Sequence, residues 1–163
     1  GGIDNNENIE QGLRREAKEE TGFEIKNLMR KIVYFPVYGK ASAGNGYLNL
    51  EQEIYKMPIL DEDFPDDCFF VKIEGNSMEP TIVEGEFALV DPNDTEYQKN
   101  KIYVVTYDDE SFIKRIVIDE STRIVILKSD NTDYDDILIN EEKQEYLKIN
   151  GRVIKIVSTR KPL

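Results

Sequence analysis

The sequence predicts a mostly β protein with an N-terminal helical arm. From residue 31 onward, short apolar and β-branched runs recur, and turn-forming residues separate them. Little helical periodicity lies between these runs, which is typical of a mostly antiparallel β domain. Before residue 31 polar and charged residues dominate, and the apolar residues recur at helical spacing.

The first predicted element is an amphipathic helix. Ile9, Leu13 and Ala17 follow one another at intervals of four residues, so they share one helix face. Gly22 follows the last apolar residue of this pattern, Ala17, by five positions. It is expected to cap the C-terminus of the helix in the left-handed conformation. The arm is therefore predicted over residues 1–30.

The remaining elements are strands. They are predicted over residues 31–38, 69–73, 87–90, 102–107, 111–118, 123–127 and 146–157. Turn signals are found at residues 84–85, 91–93, 108–109 and 150–151. From this pattern we predict that the chain has three parts: the arm (1–30), a loop with linker strands (31–60) and a β domain (61–163).

Charge and composition exclude several classes of function. A net charge of −12 repels phosphate backbones, so this polypeptide alone is expected to bind DNA poorly. No apolar run approaches the roughly 18 residues of a membrane span, and no signal-peptide pattern is present. The single cysteine, Cys68, precedes two phenylalanines and is predicted to be buried. One cysteine forms no internal disulfide, which favours a cytoplasmic location.

A serine and a lysine carry the predicted chemistry. Ser77 lies in the run EGNSMEPT (74–81), and Lys114 lies 37 residues later in SFIKRI (111–116). The chain contains no histidine, so a serine nucleophile here needs another base, and a desolvated lysine can replace imidazole. Its pKa must then fall well below about 10.4, which the apolar neighbours of Lys114 would cause. The alternative is an ordinary turn serine and a solvated strand lysine.

The residues around the serine suit an acyl-transfer site. Gly75 permits a close backbone approach, and the backbone N–H groups of Asn76 and Ser77 are predicted to form an oxyanion hole. Pro80 is expected to start a short helix.

A candidate substrate lies in the chain itself. Residues 36–46 are rich in small side chains, and the Ala43–Gly44 bond lies among them. Small side chains on both sides of a peptide bond let the backbone enter a narrow cleft. The alternative is a plain glycine-rich loop.

Together these motifs resemble a known family over about residues 32–163. The small-residue loop, the serine and lysine motifs, the run DNTDY (130–134) and the terminal strand GRVI (151–154) are similar to the self-cleaving C-terminal domain of LexA-like and phage CI-like repressors, the S24 serine peptidases. The resemblance implies a β-rich fold related to signal peptidases, catalytic Ser77 and Lys114, cleavage at Ala43–Gly44, and no cofactor.

The resemblance also implies partners. Such domains form homodimers, and a RecA-type recombinase filament on single-stranded DNA activates their cleavage in the SOS response. The repressors bind DNA through a helix-turn-helix domain ahead of the cleavage loop, which we do not find in this sequence. Family relatives that cleave other chains carry a membrane anchor, and no membrane association is expected here.

A second motif lies at the N-terminus. Residues 1–23 resemble an isolated Nudix box of diphosphate hydrolases, in which Glu16, Glu19 and Glu20 share one helix face. The resemblance implies that these carboxylates bind Mg²⁺. A Nudix fold needs sheet segments around the box, whereas the chain continues into the peptidase-like domain.

Three alternatives therefore remain beside a self-cleaving repressor domain. One is a UmuD-like self-processing polymerase subunit, which has the same serine–lysine pair after a short arm. Another is a Mg²⁺-dependent Nudix hydrolase fragment. The third is a dimerisation module whose site is inactive.

Overall fold

The computed structural model describes residues 31–40 and 48–158, which form nine β-strands and one short 3₁₀ helix. The 3₁₀ helix, η1, covers Glu141–Tyr146 and lies between the last two strands. The strands are β1 (Ile32–Lys40), β2 (Leu48–Leu60), β3 (Phe69–Lys72), β4 (Phe87–Asp91), β5 (Ile102–Tyr107), β6 (Glu110–Asp119), β7 (Ile124–Lys128), β8 (Ile137–Ile139) and β9 (Leu147–Val157).

The strands belong to one sheet with the order β2-β1-β3-β4-β9-β5-β6-β7-β8. The pairs β3–β4, β4–β9, β5–β9, β5–β6, β6–β7 and β7–β8 are antiparallel. Strands β1 and β3 are parallel, with Val37 opposite Phe70. The predicted mostly β fold class is confirmed, and the antiparallel β5–β6 hairpin is the element that carries Lys114.

The chain divides into two compact units. The larger comprises Phe35–Met57 and the chain from Pro65 onward, and it contains the site described below. The described part of the smaller unit is residues 31–34 and 58–64, where the Asp61 N–H donates to the Lys31 carbonyl at 2.7 Å. The predicted division at residues 30 and 60 remains a prediction.

Two clusters of buried apolar side chains in the described part of the larger unit lie beneath the site. The first joins β3, β4, β5 and β6 to the segment after β3: Val71, Ile73, Met78, Ile82, Ala88, Val90, Val104 and Ile113. The second lies against β5 to β8: Tyr103, Val105, Ile116, Val125, Leu127 and Ile139. Cys68 is fully buried, as predicted, and burial raises the pKa of its thiol to about 12.

Several local features differ from the sequence-based predictions. Strand β8 and the 3₁₀ helix η1 were not predicted, because three apolar residues and an acidic run carry too little periodicity. The turn signal at residues 150–151 marks no turn, because both residues lie inside β9, as the strand predicted over residues 146–157 implies. Pro80 was predicted to start a short helix, but it lies within a run of turns. Among residues 31–40 and 48–158, none of the helical segments could span a lipid bilayer.

Gly151 allows β9 to pass close to β4. Its φ is +155°, and the pairing register of β9 with β5 shifts next to it. A Cβ atom at this position would collide with the Asp91 carbonyl oxygen and would lie 2.8 Å from Val90 Cγ1. The close approach and the dihedral angle both require glycine here.

Replacing Gly151 with alanine is expected to lower the free energy of unfolding by about 3 kcal/mol, since backbone strain adds to the collision. Gly85→Ala is the matched control, because Gly85 also has a positive φ (+91°) but open space around an added Cβ. It should cost only about 1 kcal/mol. Urea denaturation measures both values, and equal losses would contradict the role assigned to the contact.

Candidate active site

Ser77 lies in the segment between β3 and β4. The base of this segment is closed by two backbone hydrogen bonds: Ile73 N–H donates to the Glu86 carbonyl, and Gly85 N–H donates to the Ile73 carbonyl, both at 2.9 Å. Met78 is 3% exposed and Ile82 fully buried, so the segment is anchored in the first core cluster. We call residues 74–86 the serine loop.

Gly75 lies at a bend of the serine loop, two residues before Ser77. Its φ is +80°, which a side chain would disfavour. The Gly75 N–H donates to Glu84 Oε1 at 3.1 Å across the loop. The backbone bends just ahead of Ser77, whose side chain is half-buried.

Lys114 lies near the middle of β6. It is paired with Tyr103 of β5, and its neighbour Ile113 belongs to the first core cluster. Only 7% of Lys114 is exposed, and its Nζ lies 6.0 Å from the centre of the Phe112 ring. A lysine in the middle of a packed strand is thereby removed from water.

Ser77 and Lys114 meet at hydrogen-bond distance. Lys114 Nζ donates to Ser77 Oγ at 3.1 Å. Their sequence neighbours Met78 and Ile113 share the same core cluster, so the packing of two apolar side chains brings the two polar ones together. A serine hydroxyl and a buried amine at this distance have the geometry of a nucleophile and its general base.

Burial changes the acidity of the lysine. Desolvation lowers the pKa of Lys114 from 10.5 to about 8, and the nearby Asp130 carboxylate partly opposes this effect. Near pH 8 a large fraction of the amine is therefore neutral and can accept a proton.

Asp130 is fixed by hydrogen bonds on both oxygens. Arg115 Nε donates to Oδ1 at 2.7 Å and Arg115 Nη2 donates to Oδ2 at 3.0 Å, while the Thr81 hydroxyl also donates to Oδ2. Partial burial tends to raise the pKa of Asp130, but these hydrogen bonds outweigh it and hold the pKa below its ordinary value. The carboxylate thus ties β6 to the serine loop.

The turn after β7 contacts the backbone on both sides of the Ser77 N–H. Asn131 Nδ2 donates to the Asn76 carbonyl at 2.9 Å, and the Asn131 N–H donates to the Ser77 carbonyl at 3.0 Å. The Tyr134 hydroxyl donates to Asn76 Oδ1 at 2.6 Å. Neither the Asn76 N–H nor the Ser77 N–H donates to another residue in the described ranges, so both are available to an incoming oxygen.

A comparison with protein-family models shows to which family this domain belongs. Residues 36–154 match the family described as peptidase S24-like, which is well over half of the chain. The chain belongs to the S24-like peptidase family. The match begins within β1 and ends within β9, so it includes both the serine loop and the strand that carries Lys114.

Curated relatives of this S24-like domain are named LexA repressor. The relative from Magnetococcus marinus is 27% identical over 86% of this chain and 59% of its own length. Those from Clostridium perfringens and Clostridium botulinum strain Langeland are both 26% identical, over 72% and 88% of this chain and 58% and 70% of their own. The chain therefore spans about three fifths to seven tenths of these relatives, and it contains a LexA-like S24 domain.

Other predicted site residues lie outside the described ranges. These are the cleavage-site pair Ala43 and Gly44, and the three glutamates Glu16, Glu19 and Glu20. Their roles remain predictions. Across residues 31–40 and 48–158, no group of three or more acidic or cysteine side chains is arranged to hold a metal ion.

Three residues that the S24-like domain places near Ser77 have no role predicted from the sequence. Asp130, Asn131 and Tyr134 belong to the run DNTDY, which was noted only as part of the family resemblance. A short polar run directly after a buried strand was the available signal. Which residue it would contact, 49 to 58 positions earlier in the chain, could not be predicted.

Proposed function

We propose that this chain is the self-cleaving peptidase domain of a LexA- or CI-like repressor and that it cuts its own Ala43–Gly44 bond. The observation that carries the proposal is the 3.1 Å contact between Lys114 Nζ and Ser77 Oγ, with Lys114 almost fully buried. Membership of the S24-like family supports a peptidase, and the segment 41–47 between β1 and β2 contains the candidate bond.

Acylation begins with neutral Lys114. The amine takes the proton of Ser77 Oγ, and Oγ attacks the carbonyl carbon of Ala43. The carbonyl oxygen becomes an oxyanion that accepts hydrogen bonds from the Asn76 and Ser77 N–H groups. The Ala43–Gly44 C–N bond then breaks, and protonated Lys114 gives its proton to the Gly44 amine.

Deacylation uses the same groups with water. Lys114 is neutral again and removes a proton from a water molecule, which attacks the ester between Ala43 and Ser77. The ester C–O bond breaks, the proton returns to Ser77 Oγ, and the Ala43 carboxylate is released. Because bond and nucleophile share one chain, positioning replaces a bimolecular encounter.

The rate of self-cleavage should depend on pH. Incubation at alkaline pH is expected to yield two fragments, residues 1–43 and 44–163, which gel electrophoresis and intact mass measurement identify. Since the pKa of Lys114 is about 8, the rate should rise through that pH and level off above it. The plateau should be about ten times the rate at pH 7, because about a tenth of the amine is neutral there.

Dilution distinguishes cleavage within one chain from cleavage between chains. An intramolecular reaction keeps its first-order rate constant when the protein is diluted tenfold. A rate constant that falls with dilution, a fragment boundary elsewhere, or no fragments at pH 10 would each contradict the proposal.

The biological role is proposed from the relatives. Their name, LexA repressor, and the shared S24-like domain support a repressor that is inactivated by self-cleavage in the SOS response. We further propose that the domain acts as a homodimer and that a RecA-type recombinase filament activates cleavage. DNA binding would then belong to a helix-turn-helix segment outside this chain.

The proposed activation by a recombinase filament can be tested directly. At pH 7, recombinase with single-stranded DNA and a nucleotide cofactor is expected to accelerate cleavage at Ala43–Gly44. The filament would act by favouring the conformation in which the bond reaches Ser77. Recombinase without DNA is the control, and equal rates with and without the filament would count against this partner.

A further inference from the structure

We propose that the side chain of Asn131 is a positioning residue of the oxyanion site. It holds the peptide plane between Asn76 and Ser77 so that the Ser77 N–H faces the oxygen that becomes charged. The inference rests on the proposed self-cleavage and assigns a role to a residue outside the serine–lysine pair.

The hydrogen bond from Asn131 fixes the direction of the Ser77 N–H. Asn131 Nδ2 donates to the Asn76 carbonyl at 2.9 Å. The Asn76–Ser77 peptide is trans, since the cis bond of this region is Glu79–Pro80. In a trans peptide the C=O and N–H point in opposite directions. The Ser77 N–H therefore points away from Asn131 and donates to no other described residue.

Asn131 itself is held rigidly. Its Oδ1 accepts the Asp133 N–H at 3.0 Å, and its carbonyl accepts the Tyr134 N–H at 3.2 Å. The first of these hydrogen bonds orients the side-chain amide, so that Nδ2 is the group presented to Asn76. A fixed donor of this kind is pre-organised before the reaction begins.

Few contacts act directly on the peptide plane between Asn76 and Ser77. Gly75 lies just before it with a φ of +80°, and no atom lies within 4 Å of a Cβ built there. The Asn76 carbonyl has one further hydrogen bond, from the Glu79 N–H at the longer distance of 3.2 Å. Loss of Asn131 Nδ2 would leave the Asn76 carbonyl with that hydrogen bond alone.

The expected kinetic effect follows from the role of the N–H. Removing an oxyanion donor outright costs about 10²–10³ in rate. Substituting Asn131 loosens the donor without removing it, so the cleavage rate should fall by roughly tenfold. Lys114 is unaffected, and the pH midpoint of the Asn131→Ala variant should stay where it is in the unaltered protein.

The experiment compares Asn131→Ala and Asn131→Asp with the unaltered protein at pH 10, where Lys114 is neutral. The aspartate variant has the same size and keeps the backbone N–H but lacks the Nδ2 donor. Thr132→Ala, an exposed residue on the same turn, is the matched control and should cleave at the unaltered rate.

A second measurement distinguishes a loss of oxyanion stabilisation from a change in the accessibility of residue 77. In a Ser77→Cys background, alkylation by iodoacetamide forms a C–S bond and expels iodide, so no oxyanion develops. The Asn131→Ala substitution should leave this alkylation rate unchanged to within about twofold. The native thiol of Cys68 is fully buried and does not compete.

Each outcome decides the inference. Slower cleavage with unchanged alkylation supports it. Unchanged cleavage overturns it, and an equal change in both reactions overturns it in favour of a general loss of loop order. Absence of cleavage in the unaltered protein at pH 10 overturns the proposed function instead, and the inference falls with it.

Discussion

Replacing Ser77 with alanine is expected to abolish cleavage of the Ala43–Gly44 bond, with a fall in rate of at least about a thousandfold. No acyl intermediate can form without the hydroxyl, and water alone attacks a peptide bond very slowly. Gel electrophoresis after incubation at pH 10 measures the effect. The uncleaved protein should remain for at least a thousand times the half-life of the unaltered chain.

Ser129→Ala is the matched control for this variant. Ser129 directly precedes Asp130, is buried, and has no hydrogen-bond partner for its Oγ in the described structure. Its loss should leave cleavage unchanged. Cleavage by the Ser77→Ala protein at the normal rate would exclude Ser77 as the nucleophile.

Folding should survive the Ser77→Ala substitution. The variant loses the hydrogen bond between Lys114 Nζ and Ser77 Oγ, which costs about 1 kcal/mol of the free energy of unfolding. Thermal unfolding should therefore remain cooperative, so that a loss of cleavage reports chemistry and not unfolding.

Replacing Lys114 with methionine is expected to have two opposite effects. Cleavage should fall by about 10²–10⁴, because no group remains to take the proton of Ser77. Stability at pH 7 should increase, because the folded protein no longer buries an amine. A fall in pKa from 10.5 to about 8 corresponds to roughly 3 kcal/mol, which is the upper limit of the gain.

The size of this stability gain depends on pH. Between about pH 8 and 10.5 the unfolded chain binds the lysine proton and the folded chain does not, so the stability of the unaltered protein rises with pH in that window. The advantage of Lys114→Met should therefore shrink from pH 7 to pH 10. Denaturation at both pH values measures it. Lys148→Met, on the exposed face of β9, should change neither stability nor cleavage appreciably.

Asp130 provides a further check on the same lysine. Its carboxylate raises the pKa of Lys114, so Asp130→Asn should move the midpoint of the cleavage profile below pH 8. The released Arg115 guanidinium acts in the same direction. A midpoint that moves upward would show that the profile reports another group.

Much of the sheet could be predicted from local patterns. The alternating and β-branched runs around Phe69, Phe87, Ile102 and Ser111 predicted β3 to β6, because side-chain period and strand propensity act over a few residues. Strand β8 was missed because its three residues form a strand only through pairing with β7. The glycine at position 151 suggested a turn, whereas packing against β4 makes it part of a continuous strand.

The candidate site was likewise only partly predictable from the sequence. The absence of histidine, the motifs around Ser77 and Lys114, and the apolar neighbours of the lysine could be taken from the sequence alone, because each is a matter of residue type and local order. The roles of Asp130 and Asn131 could not, because each depends on hydrogen bonds to residues that are distant in the chain.

The sequence by itself therefore determined the fold class, the family and the pair of residues proposed to react. Only the tertiary structure decided that Lys114 Nζ lies 3.1 Å from Ser77 Oγ and is withdrawn from water. Periodicity and propensity are local properties of the chain. Desolvation and hydrogen-bond geometry arise when Met78 and Ile113 pack into one core, which brings together segments 37 residues apart.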